Sequence, residues 1–89
     1  MKIKDGYVLR KIAEEYIVIA VGERFAEFSG MMSLNEVSAK IWDYLSKERT
    51  FGEILAYVLS VYDIDEETAG TDINNLLTQM ESAGVLDNV

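Results

Sequence analysis

Asp63, Asp65 and Glu67 stand at alternate positions, the spacing that opens a calcium-binding EF-hand loop. Such a loop needs Gly at its sixth position for the sharp turn and a bidentate Glu at its twelfth. Here those positions hold Thr68 and Asn74. The acids are better explained as a helix start, with Asp65 as the cap and Glu66 and Glu67 at the positive end of the helix dipole. The rest of the chain is equally poor in reactive groups. It has no His and no Cys, so the commonest general base, the thiolate nucleophile, the usual zinc ligands and any disulfide are absent. Ser and Lys occur, but not in G-x-S-x-G or Ser-x-x-Lys, and no Gly-rich phosphate loop is present. An enzyme is not expected, and neither is a cofactor or a metal.

Charge narrows the partners. All eight basic residues lie in the first 49 positions, together with eight acidic ones. From Thr50 onward there are eight acids and no base, so this stretch carries the whole net charge of −8. A nucleic-acid reader draws most of its affinity from Lys and Arg on phosphates. This segment would repel a phosphate backbone. It suits a solvated acidic surface or a basic protein or peptide partner.

Eighty-nine residues, 49% of them apolar, are enough for one domain with a modest core, spanning 1–89. No apolar run approaches the roughly 20 residues of a membrane helix, and the first residues lack the pattern of a signal peptide. The cytoplasm is the expected compartment, with no membrane partner.

Residues 7–34 carry a strand pattern: 7–12, 16–21 and 24–28, with 31–34 continuing the last. Ala13-Glu14-Glu15 suits a hairpin loop, Gly22-Glu23 a second turn, and Ser29-Gly30 a bulge or turn. From Asn35 the period shifts to about 3.6. Asn35 caps a first helix over 36–46, with Val37, Ile41 and Leu45 on one face and Trp42 beside it. Thr50 and Glu53 form a capping box that starts a second helix, whose apolar face is Phe51, Ile54, Leu55, Val58, Leu59 and Tyr62. Asp65 caps a third, with Ala69, Ile73, Leu76, Leu77 and Met80 as its core stripe and Gly84 as its stop. The order βββααα describes a small winged-helix-like α+β domain. Its third helix has no Lys or Arg, which argues against DNA. After Asp72, and apart from Glu81, its outward residues are Asn74, Asn75, Thr78, Gln79 and Ser82, weaker helix formers than Glu or Lys but suited to peptide backbone groups.

Four segments together resemble the PqqD family, small domains of pyrroloquinoline quinone biosynthesis and their relatives. They are Tyr7-Val8-Leu9-Arg10-Lys11-Ile12, the block from Leu34-Asn35 through Ile41-Trp42 to Leu45, Thr50-Phe51-Gly52-Glu53-Ile54, and Asp72-Ile73-x-x-Leu76-Leu77-x-x-Met80-x-x-x-Gly84-Val85-Leu86. The resemblance implies a non-catalytic recognition element for the leader of a ribosomally made precursor peptide. It also implies a second partner, a peptide-modifying enzyme, often a radical S-adenosylmethionine protein. In that family the leader adds a strand to the third strand and lies in a groove against the third helix. Carried over, the groove would be formed by Phe25, Ala26, Glu27 and Phe28, with Asp72, Ile73, Leu76 and Met80 opposite. Phe25 and Phe28 would point to opposite faces of their strand. The pyrroloquinoline quinone members carry Pro-Glu before the third strand, whereas this chain has Val21-Gly22-Glu23-Arg24 and no Pro. In this it looks more like relatives found beside other peptide-modifying enzymes. The alternatives are a dimerising accessory protein without leader affinity and a diverged winged-helix regulator. Monomer and homodimer both remain open.

Overall fold

The computed structural model describes residues 1–22 and 32–87. Five strands and three helices follow in the order β1 (Lys2–Ile3), β2 (Tyr7–Ile12), β3 (Glu15–Ala20), β4 (Met32–Leu34), α1 (Glu36–Tyr44), α2 (Phe51–Val61), α3 (Glu66–Ser82) and β5 (Leu86–Asp87). β2, β3 and β4 form an antiparallel sheet in that spatial order. This is the expected α+β plan of three strands followed by three helices. The third strand of the sheet is Met32–Leu34, while the expected strand over 24–28 lies outside the described residues.

Register follows from alternation. Tyr16 pairs with Leu34 and Val18 with Met32, so the inward side chains of β3 and β4 meet on one face. Val18 is fully buried and Met32 and Leu34 nearly so, while Ser33 between them is exposed. Ile12 pairs with Glu15, which leaves a two-residue turn of Ala13 and Glu14, one residue shorter than the sequence indicates. Ala13 takes a left-handed φ of 57° to make it.

All three helices start where their caps predict. The Ser38 N–H donates to Asn35 Oδ1 (2.8 Å). Thr50 and Glu53 exchange both bonds of the capping box, at 3.1 and 2.9 Å. Asp65 accepts from the Thr68 N–H (2.8 Å) and from its hydroxyl (3.0 Å). These two bonds hold the Asp65 carboxyl below the ordinary Asp value of about 3.9. A carboxyl whose pKa falls on folding adds stability above its unfolded pKa and loses it as pH falls through the folded one. Wild type should therefore lose stability below about pH 4 more steeply than Asp65→Asn, which retains a cap without a titrating group. Thermal midpoints between pH 3 and 6 read the difference.

At its far end α3 closes in a Schellman motif. The Gly84 N–H donates to Glu81 O (3.0 Å) and the Val85 N–H to Met80 O (3.2 Å). Gly84 has φ +76°, and a Cβ placed there would meet nothing within 4 Å. Gly84→Ala should therefore cost only the left-handed backbone penalty, about 1–2 kcal/mol, seen as a lower melting midpoint.

The core lies between the sheet and the helices, with Val18, Leu45, Ile54, Ile73, Met80 and Val85 under 2% exposed. Ile41, Trp42, Val58, Leu76 and Leu77 are buried as their periodicity indicates. Leu55 and Leu59 are only half-buried, and Phe51 is exposed. The covered face of α2 is thus narrower than its apolar stripe. At the α1–α2 corner the Tyr44 and Tyr57 rings stack at 4.3 Å, and the Arg49 guanidinium lies 4.1 Å from the Tyr44 ring centre.

β1 and β5, too short to show any periodicity, pair antiparallel through Ile3 and Leu86. The Ile3 N–H also donates to Leu45 O and the Lys4 N–H to Val85 O, both at 2.9 Å. Among the described residues no helix is long and apolar enough to cross a membrane.

Candidate functional site

A groove of about 570 Å³ opens where α1, the end of α2 and α3 diverge. That volume lies within the range of small-ligand and side-chain pockets. α3 supplies one wall, including Asp72, Ile73 and Leu76. α1 supplies the other through Val37, Ser38 and Ile41, with Asn35 at its cap. Val58, Tyr62, Asp63 and Ile64 line the end where α2 turns into α3.

Depth separates the lining by chemistry. Ile41, Val58, Ile73 and Leu76 are buried and make an apolar floor. Asn35, Asp63, Asp72, Asn75 and Gln79 are exposed and make a polar rim. The uncharged outer positions of α3 thus divide into two groups. Asn75 and Gln79 reach the groove, whereas Thr78 turns its hydroxyl back to Asn74 O (2.9 Å).

Three of the four helix residues expected at the site, Asp72, Ile73 and Leu76, come together there. Met80 does not line the groove and is fully buried. The reason is the Schellman turn, which brings Val85, equally buried, back against the last turn of α3. Phe25, Ala26, Glu27 and Phe28 lie outside the described residues. β4 pairs only with β3 among the described residues, and Asn35, which follows it directly, lines the groove. That strand edge, unpaired among the described residues, therefore runs to the groove's rim.

Tyr62 was legible in the sequence only as a core residue of α2. Its hydroxyl oxygen is buried and has no hydrogen-bond partner among the described residues. Burial, and then the nearby Glu36 carboxylate, push the phenol above its ordinary value, while Lys40 acts the other way. The group is therefore a neutral donor at physiological pH. The α1 side of the groove was likewise not foreseen. Asn35 served in the sequence only to mark a helix start, where it does accept the Ser38 N–H, and Ser38 had no part in the reading. Among the described residues no group of three or more metal-ligating side chains comes together, and the Asp65 carboxylate is engaged in its cap.

The fold is shared with solved structures. The structure of TbiB1 in complex with the TbiA(beta) leader peptide matches at a TM-score of 0.78 and 22% identity, covering 100% of this chain and 98% of that one. The structure of a lasso peptide synthetase B1 complexed with its leader peptide matches at 0.70 and 17%, covering 93% and 92%. No curated protein matches significantly. The family model described as coenzyme PQQ synthesis protein D (PqqD) matches residues 15–86, from β3 to β5 and so across all three helices and the groove between them. The chain belongs to the PqqD family.

Proposed function

We propose that this protein is a non-catalytic module that binds the leader of a ribosomally made precursor peptide and presents it to a modifying enzyme. The observation that carries the reading is the position of the groove. An apolar floor lies under a rim of amides, beside a strand edge with one neighbour among the described residues. An extended peptide can satisfy such an edge with its own backbone while alternate side chains drop into a neighbouring pocket. The amides of Asn35, Asn75 and Gln79 both donate and accept, which suits backbone groups of any sequence. Membership of the PqqD family supports the reading, and so do two structural neighbours that are themselves leader-peptide complexes. Nucleic acid is a poor candidate, since α3 carries Glu and Asp but no Lys or Arg.

The test is a titration of isotope-labelled protein with a synthetic leader from the precursor gene adjacent to its own. Amide shifts should concentrate in residues 32–38 and 72–79. Gln79→Arg, at an exposed rim position, should weaken binding at least tenfold, about 1.4 kcal/mol. Its stability should stay within about 0.5 kcal/mol of wild type. Shifts confined to the exposed face of α2 would overturn the assignment.

A further inference from the structure

The charge in the groove is one-sided. Asp63 lines it from the α2–α3 loop and Asp72 from α3, and no Lys or Arg does so among the described residues. Nor can the surrounding α2–α3 segment supply a counter-ion, because no basic residue follows Arg49. Lys40, on the exposed side of α1, acts on the Tyr62 phenol together with Glu36, which opposes it. A wholly apolar ligand would fill the floor but bring nothing to these carboxylates.

We infer that the groove selects a peptide segment in which an apolar side chain stands next to a lysine or arginine. The apolar side chain enters the floor of Ile41, Ile73 and Leu76, and the cation meets Asp63 or Asp72 at the rim. This rests on the groove being the peptide site and narrows that site to a class of peptide. At an open surface such an ion pair would add little. Against a bound segment that excludes water its hydrogen bonds are charge-assisted and stronger, and an arginine can engage a carboxylate through two of them.

A library of random twelve-residue peptides, displayed on phage and panned against the intact chain at about 0.15 M salt, tests this. Recovered peptides should carry Lys or Arg within two positions of Leu, Ile, Val or Phe. Their affinity is then measured by calorimetry against two double variants. Asp63→Asn with Asp72→Asn should weaken them about tenfold. Glu66→Gln with Glu67→Gln removes the same charge outside the groove lining and should change affinity less than twofold. Apolar peptides without a cation, or equal losses in the two double variants, would overturn the inference and leave the peptide-binding reading in place. Failure to enrich any peptide would overturn both.

Discussion

Leu45→Ala is expected to destabilise the fold by about 2–5 kcal/mol, the range for removing a fully buried leucine side chain. Leu45 is 0% exposed and lies at the C-cap of α1, in the core cluster with Val18, Ile54, Ile73 and Val85. Its backbone is engaged as well, with the N–H donating to Ile41 O and the carbonyl accepting from the Ile3 N–H. The backbone ties hold the cavity walls in place, which limits relaxation into the space left by the truncation. In a chain of this size each kcal/mol lowers the melting midpoint by about 4–8 °C. Marginal stability of about 5–15 kcal/mol would then leave a substantial unfolded fraction at physiological temperature. Chemical denaturation, with its slope unchanged, measures the loss. A change below 1 kcal/mol would show that the site collapses around the smaller side chain.

Met80→Ala should also cost about 2–5 kcal/mol, and it separates packing from recognition. As a groove residue Met80 would be a flexible thioether repacking around each ligand. Its actual place is the core, under Val85. Truncation should therefore lower the denaturation midpoint while leaving peptide affinity per folded molecule within about twofold of wild type. Met80→Leu, nearly equal in volume, should cost less than about 1.5 kcal/mol. A large affinity loss in Met80→Ala with stability intact would place the side chain back in the site.

The helix starts were readable from sequence because a cap is local chemistry. Asn35, Thr50 and Asp65 each bond within three residues of themselves. Periodicity likewise marked which residues of α3 share a face. It could not say how that face divides between core and groove, because the division depends on what returns to cover the last turn. Met80 shows this, and so does the exposed Phe51 on α2, where nothing covers the first turn. Tyr62 and Asn35, 27 positions apart in the chain (62 − 35), line one groove only through the packing of α1 against α2 and α3. Neither local propensity nor spacing carries that information. The two-residue strands β1 and β5 have too few positions to display any alternation.

The pairing of those two strands bears on how the molecule assembles in time. Ile3 and Leu86 are neighbours in space and 83 positions apart in the chain (86 − 3). A contact of that separation closes a loop of more than eighty residues, at an entropic cost that local turns do not meet. The ladder is short, with only two residue pairs to offset it. It therefore forms late, on a surface that the three helices have already built, and opens early when the native state fluctuates. Because Lys4 bonds to Val85, opening β1 also frees the backbone that packs over Met80 at the end of α3.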